Sequence, residues 1–133
     1  MAALPSLDQS SVRRLKKRGE FLFVRAGQSE RRKALVVQAR RRSESGAAGV
    51  GFTATRKIGS AVIRNRAKRR LRAAAQELMP VHALAGVDYV FIARASTADI
   101  AWPRLLDDMK SALISLAGTF GGVSEMDAHT HLS

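Results

Sequence analysis

The chain has 133 residues, which suits one folded domain, and its hydrophobic content of 46% is ordinary for a globular protein. Its net charge of +12 is far from ordinary, and so large an excess of fixed cations favours an anionic partner. The sequence has no cysteine, which excludes disulfides and thiolate zinc sites. It has neither a signal-peptide pattern nor an apolar run near the ~20 residues that cross a bilayer, so we expect a cytoplasmic protein without a membrane partner.

The positive charge is concentrated in one half of the sequence. Residues 13–72 carry 20 Lys or Arg against three Glu, a net of +17, whereas residues 73–133 carry a net of −4. A difference of this size within one chain indicates a binding surface rather than a general aid to solubility. We therefore expect a nucleic acid as the partner.

The N-terminal part of the chain predicts a short helix followed by two strands. Residues 1–12 are polar and predict a flexible arm. A helix is predicted at about residues 19–26, with Phe21 and Val24 on its apolar side and Gly27 at its end. Residues 33–40 and 48–55 have strand-like patterns, and the residues between them, 41–46, read as a hairpin loop.

A second, longer helix is predicted to begin after Ser60, a favourable N-cap residue. Its apolar stripe at helical spacing consists of Ile63, Ala67, Leu71, Ala74 and Leu78. The polar arc, about 100–300° around the helix from Ile63, is predicted to face away from the core, and consists of Arg64, Asn65, Arg66, Lys68, Arg69 and Arg72. Pro80 disfavours helical geometry in the residue before it, so the helix should end near Met79.

The C-terminal part predicts one strand and one helix. Residues 87–93 are apolar at nearly every position, which is typical of a strand covered on both faces. A last helix should begin around Pro103, and residues 118–133 lack periodicity and read as a disordered tail. The element order is α-β-β-(β)-α-β-α, which predicts a single α/β domain over residues 13–117, with three helices on a mixed sheet of three to four strands.

Four segments, in this order and spacing, resemble the bacterial ribonuclease P protein family. They are Arg14-Leu15-Lys16-Lys17 followed by Phe21, Val50-Gly51-Phe52 followed by Arg56-Lys57-Ile58-Gly59, Ala61-Val62-Ile63-Arg64-Asn65-Arg66 followed by Lys68-Arg69, and Asp88-Tyr89-Val90-Phe91-Ile92-Ala93-Arg94. The Arg-Asn-Arg block with its Lys-Arg pair is the specific part, because basic clusters alone are common.

The resemblance implies an α+β sandwich in which the basic helix makes a left-handed crossover between parallel strands, although such crossovers are nearly always right-handed. It also implies a function: a protein cofactor for a catalytic RNA that removes the 5′ leader from precursor tRNA. The expected partners are ribonuclease P RNA and precursor tRNA. The chemistry would belong to the RNA and to Mg²⁺ bound mainly by that RNA, so no catalytic residue and no metal ligand is expected in the protein.

The resemblance also implies two sets of site residues. The residues expected to face the catalytic RNA are Arg56, Lys57, Arg64, Asn65, Arg66, Lys68, Arg69 and Arg72. The residues expected at a cleft for the leader, between the sheet and the first helix, are Arg14, Lys16, Lys17, Phe21 and Arg25. The family usually has a second aromatic residue four positions after Phe21. Because this chain has Arg25 there, leader contact should depend more on charge and less on stacking.

The basic helix also has other interpretations. A structural RNA-binding protein of the ribosomal type is the main alternative function. A DNA-binding module is disfavoured, because no short helix and turn precede the basic helix, and DNA is not an expected partner. A charged helix face that contacts only solvent is also disfavoured, because no acidic residue offsets the repulsion among Arg64, Lys68 and Arg72.

Overall fold

A computed structural model describes residues 12–120 as a five-stranded mixed sheet with three helices. The strands are β1 Val12–Arg14, β2 Gln28–Arg31, β3 Leu35–Arg41, β4 Ala48–Thr53 and β5 Val87–Ala93. The helices are α1 Arg18–Arg25, α2 Ala61–His82 and α3 Trp102–Thr119. The strand order in the sheet is β1-β4-β5-β3-β2. The predicted fold class is therefore confirmed, with five strands in place of three to four.

The two strands that the sequence did not predict lie at the sheet's edges. β1 has three residues and pairs in parallel with β4, and β2 has four polar residues and pairs antiparallel with β3. An edge strand can be this short and polar because it need not bury an apolar face. β1 begins at Val12, the last residue of the predicted arm, and the rest of that arm, residues 1–11, lies outside the described residues.

The predicted hairpin between β3 and β4 is wrong, because β5 lies between them. β5 pairs antiparallel with β3 and parallel with β4. The hairpin is instead formed by β2 and β3, where the Arg32 N–H donates to the Leu35 carbonyl at 2.8 Å. α2 connects the parallel neighbours β4 and β5, and the left-handed sense of this crossover stays a prediction.

Helices cover both faces of the sheet, which confirms the prediction for β5. Val87, Tyr89 and Phe91 belong to the larger core with α2 and α3, whereas Val90 packs on the opposite face in a smaller core under α1. In the larger core the Phe91 ring stacks against those of Phe52 and Tyr89, with centroids 5.6 and 6.4 Å apart. Within residues 12–120, no helix has the length and apolarity to cross a membrane.

Two helix ends differ from the predictions. α2 does not end near Met79 but continues through Pro80 to His82. Met79 is buried in the larger core, and its carbonyl accepts a hydrogen bond from the Ala83 N–H at 2.9 Å, so packing and this bond hold the last turn around the proline. α3 runs to Thr119, two residues into the predicted tail, and residues 121–133 lie outside the described part of the chain. Its first turn contains Pro103, as predicted.

Candidate nucleic-acid interface

α2 docks on the sheet by a face made mostly of alanine. Its buried residues are Ala67, Leu71, Ala74, Ala75 and Met79. Three of them match the predicted stripe, but Ile63 is 41% exposed and Leu78 is half-buried. Because the buried face drifts towards Ala75 and Met79, one flank of the basic arc comes closer to the sheet than the sequence predicted.

The residues of the predicted polar arc of α2 therefore divide into an exposed set and a half-buried flank next to the sheet. Asn65, Arg66 and Arg69 are exposed, as predicted. The flank residues, which follow one another at intervals of one turn and are half-buried, are Arg64, Lys68 and Arg72. In the part of the chain that the structure describes, none of the ion pairs involves a residue between positions 56 and 72. No acidic side chain of the described residues therefore neutralises the charges of this surface.

A tight turn before α2 adds two more exposed cations, Arg56 and Lys57, which lie in a short 3₁₀ turn. Gly59 follows with φ of 144°, a backbone conformation that favours glycine. The Ser60 hydroxyl then accepts a hydrogen bond from the Ile63 N–H at 3.3 Å, which confirms the predicted N-cap. The turn and the start of α2 therefore present one continuous basic stretch of chain.

Arg72 packs on the sheet rather than facing away from it. Its guanidinium lies 5.5 Å from the centroid of the Phe52 ring, a cation–π distance. Its Nε is buried and has no hydrogen-bond partner among residues 12–120. The drift of the buried face explains this position, and the expected contact of Arg72 with RNA stays a prediction.

Arg70 is a residue whose role the sequence did not predict. It donates hydrogen bonds to two backbone carbonyls, those of Thr97 and Ile100, in the turn between β5 and α3. A helical wheel places Arg70 about 340° around the helix from Ile63, beside the apolar stripe. This position is the one sequence feature that indicates a contact of Arg70 with the rest of the fold. Charge alone does not distinguish it from its neighbours.

The predicted cleft lies on the other face of the sheet, beside α1. Phe21 is half-buried and packs against the smaller core, above Gly51 of β4. A Cβ at Gly51 would lie 2.6 Å from the Phe21 ring, so glycine is what allows the ring to approach the strand. Arg25 is exposed one turn further along α1, and Lys16 and Lys17 are exposed in the loop before it. The structure thus groups four of the five predicted cleft residues around α1.

Arg14 is the predicted cleft residue that this arrangement separates from the others. In β1 it is in register with Val50, whose side chain belongs to the larger core on the face of α2 and α3. Neighbouring residues of a strand point to opposite faces, so Arg13 is the β1 residue on the side of α1. Deciding which of Arg13 and Arg14 lies on the side of α1 requires the strand register, which the sequence pattern does not reveal.

The floor of the cleft is a partly open strip of sheet. Val36, Ile92 and Thr53 are in register across β3, β5 and β4, and all three are half-buried. In β2, Arg31 is opposite Val36 and is exposed. The strip is therefore apolar in its centre and carries a cation at one edge.

An ion-pair network holds the chain on the α1 side. Arg13 donates to Glu20 at 2.8 Å and to Asp88 at 3.4 Å, and Asp88, only 2% exposed, also accepts from Arg42 at 3.3 Å. Glu20 accepts the backbone N–H groups of Lys17 and Lys16 as well, and these bonds, with that from Arg13, lower its pKa to about 2. The network fixes the loop from which Lys16 and Lys17 project.

The ring of Phe23, the other aromatic residue of α1, is already in contact with an arginine of the chain. The Arg40 guanidinium lies 4.3 Å from the centroid of its ring and also donates to the Phe23 carbonyl at 3.2 Å. Phe23 is therefore no free stacking platform and does not replace the aromatic residue that is missing at position 25.

Comparisons with known proteins give the same family in sequence and in structure. The sequence profile of the ribonuclease P family matches residues 10–117. The chain is 54% identical over 105 residues to the ribonuclease P protein component of Caulobacter vibrioides, which covers 78% of this chain and 70% of that protein. It is 44% identical over 110 residues to the corresponding protein of Ruegeria pomeroyi, which covers 80% and 88% of the two chains.

Solved structures of two more distant proteins share the fold. The RNase P protein of Staphylococcus aureus has a TM-score of 0.66 and 28% identity, over 81% of this chain and 97% of that chain. The RNase P protein of Thermotoga maritima has a TM-score of 0.65 and 25% identity, over 77% and 96%. Fold and sequence together place the chain among the protein components of a ribonuclease. It belongs to the ribonuclease P protein family.

Proposed function

We propose that this chain is the protein subunit of ribonuclease P, and that it binds the catalytic RNA and the 5′ leader of precursor tRNA to promote endonucleolytic 5′ maturation of tRNA. The observation that carries the proposal is the basic surface of α2 and the turn before it. Its exposed members are Arg56, Lys57, Asn65, Arg66 and Arg69. Because its cations form no ion pair within residues 12–120, they are available to phosphates.

The composition of this surface suits a folded RNA backbone. Arginine forks can bond two phosphate oxygens at once, whereas Lys57 and Lys68 act as point charges. Asn65 can donate to or accept from a ribose 2′-hydroxyl, a group that DNA lacks. Since α2 is docked on the sheet, these groups are held on a rigid element before the RNA arrives.

The strip beside α1 is the proposed site for the single-stranded leader. The half-buried ring of Phe21 offers a face or edge to an unpaired base, and stacking of this kind contributes ~1–3 kcal/mol per base. Lys16, Lys17 and Arg25 surround it with exposed positive charge. The leader backbone would be held by these cations, with a smaller share from stacking than in relatives that have an aromatic residue at position 25.

In this proposal Mg²⁺ is bound mainly by the RNA, and catalysis resides there. Magnesium prefers carboxylate and phosphate oxygens, whereas the surface of α2 offers guanidinium, ammonium and amide groups. On the α1 side, Asp88 and Glu20 already accept hydrogen bonds from arginines or backbone N–H groups. The protein's own contribution is to bind, orient and neutralise negatively charged RNA.

The direct test is leader removal in a reconstituted reaction. Ribonuclease P RNA and precursor tRNA are incubated at low Mg²⁺ with and without the protein, and the cleaved leader is quantified. We expect the protein to stimulate cleavage, because its cations replace part of the charge neutralisation otherwise supplied by Mg²⁺. Tight binding to structured RNAs without stimulation would favour the ribosomal-type alternative.

A second measurement addresses the kind of nucleic acid. Binding to ribonuclease P RNA and to duplex DNA is compared across salt concentrations, and about 0.7–0.9 decades of affinity should be lost per phosphate contact and decade of salt. We expect a preference for the folded RNA to persist at high salt. Equal residual affinities would contradict the proposed specificity.

A further inference from the structure

Arg70 lies within the basic stretch of α2 but is used differently from its neighbours. Its two terminal nitrogens donate to the carbonyl oxygens of Thr97 and Ile100, both at 2.6 Å, and its guanidinium lies 5.8 Å from the centroid of the Trp102 ring. Of residues 56–72, it is the one whose side chain hydrogen-bonds to an element distant in sequence, as far as residues 12–120 show. Its hydrogen-bonding capacity is thus partly satisfied within the fold.

The turn that Arg70 contacts is itself fixed to the sheet. The buried hydroxyl of Thr97 donates to the Ala34 carbonyl at 2.6 Å and accepts from the Arg94 N–H at 2.8 Å. The Ser96 hydroxyl donates to the Lys33 carbonyl at 3.0 Å. Arg70 therefore connects the middle of α2, through a hydrogen-bonded turn, to the residues just before β3.

The packing of α2 explains why such a connection matters. Between Ala61 and Arg70, only Ala67 is buried, and Val62 and Ile63 are 75% and 41% exposed. The methyl side chain of Ala67 buries little apolar surface and so contributes little stabilisation. A single methyl group also interlocks little with its neighbours, so it hardly prevents rotation of the helix about its axis. The basic half of α2 is thus weakly held by apolar contacts.

We propose that Arg70 is a positioning residue: its two hydrogen bonds to the carbonyls of Thr97 and Ile100 set the rotation of the basic half of α2 and so aim Arg66 and Arg69 at the RNA. The inference rests on the proposed function of that surface. Two carbonyls three residues apart match the planar fork of a guanidinium, which a lysine ammonium does not reproduce. Bidentate contacts to phosphate need fixed geometry, so a small rotation of the helix weakens several of them together.

The experiment compares Arg70→Lys and Arg70→Gln with the matched controls Arg69→Lys and Arg69→Gln at the exposed neighbour. Thermal melting is measured first, and affinity for ribonuclease P RNA is then measured at a temperature where every variant is fully folded. Emission of Trp102, the single tryptophan of the chain, reports the environment of the contact in the free protein. Comparing the lysine and glutamine variants separates geometry from charge.

We expect both Arg70 variants to shift Trp102 emission and to lose about tenfold in RNA affinity while fully folded, with lysine rescuing little. Arg69→Lys keeps the charge but loses the fork, so it should lose less affinity than Arg70→Lys and leave Trp102 emission unchanged. Arg69→Gln should lower the salt dependence by about 0.7–0.9 decades per decade, as expected for one lost phosphate contact, and leave Trp102 emission unchanged.

Two results would overturn the positioning role. If Arg70→Lys binds RNA like wild type, Arg70 acts through its charge alone. If both Arg70 variants melt earlier but bind RNA like wild type when folded, the contact serves stability and nothing else. A wild-type protein without preference for ribonuclease P RNA would instead refute the proposed function, and the positioning role would fall with it.

Discussion

The arginines on the two faces of the sheet have different surroundings. On the α1 side, Arg13 and Arg42 bond to Asp88, and Arg40 covers the ring of Phe23. The arginines of α2, in contrast, form no ion pair within the described residues, and one of them, Arg70, is bonded to backbone carbonyls. The number of cations on a surface is therefore a poor guide to how many are available to a partner. Availability depends on which acids and carbonyls the fold brings next to them.

This difference has an energetic meaning. The network around Asp88 stabilises the free protein, because it compensates a carboxylate that is almost fully withdrawn from water. The uncompensated positive charges on α2 destabilise the free helix by self-repulsion, which bound phosphates would relieve. Substitutions on the two faces should consequently separate stability from RNA binding.

The largest expected effect is on the α2 side. In the double variant Arg66→Ala/Arg69→Ala, affinity for ribonuclease P RNA should fall about 30–100-fold, and the salt dependence should decrease by about 1.4–1.8 decades per decade for two lost phosphate contacts. The melting temperature should stay within a few degrees of wild type, because both side chains are exposed. Arg104→Ala is the matched control, since it removes an exposed arginine of α3 and should bind normally. A collapse in stability would show that these side chains support the fold.

The opposite pattern is expected for Asp88→Asn. The free energy of unfolding should fall by about 2 kcal/mol, less than for a fully buried pair because Arg13 and Arg42 keep 39% and 29% of their side chains exposed. Urea denaturation measures this loss. RNA affinity of the folded variant should change little, and a large decrease there would mean that the two faces are not independent.

Phe21→Ala should weaken binding of the precursor tRNA substrate but not binding of the catalytic RNA. We expect about a tenfold loss of affinity for precursor tRNA with a single-stranded leader, because one stacking contact is removed, and little change in binding to ribonuclease P RNA. Mature tRNA, which lacks the leader, is the control substrate. If mature and precursor tRNA lose affinity equally, Phe21 does not contact the leader.

The smallest expected effect is the pH dependence conferred by Glu20. Its folded pKa of about 2 lies below its ordinary value of 4.5, so its contribution to stability is complete above about pH 4.5 and is lost as the pH falls towards 2. Glu20→Gln lacks this titration. The stability difference between wild type and variant should therefore shrink over that range, as followed by urea denaturation at several pH values. A difference independent of pH would mean that Glu20 does not hold the loop before α1.

Local sequence patterns predicted those features that depend only on residues close together in the chain. Ser60 as an N-cap, Gly27 after α1 and the two-sided burial of β5 follow from sequence alone. The insertion of β5 between β3 and β4 does not, because strand pairing is a long-range property. The predicted orientation of Arg72 is wrong, because the alanines at positions 73, 74 and 75 lie on several sides of the helix and leave the direction of its buried face poorly defined.

The short edge strands have a consequence for the protein before it meets any RNA. β1 and β2 span three and four residues, and they carry Arg13 and Arg14 at one border of the sheet and Glu30 and Arg31 at the other. Borders so brief and charged are poor templates for the strand of a second molecule. Short, charged edges of this kind therefore disfavour edge-to-edge aggregation of the free protein.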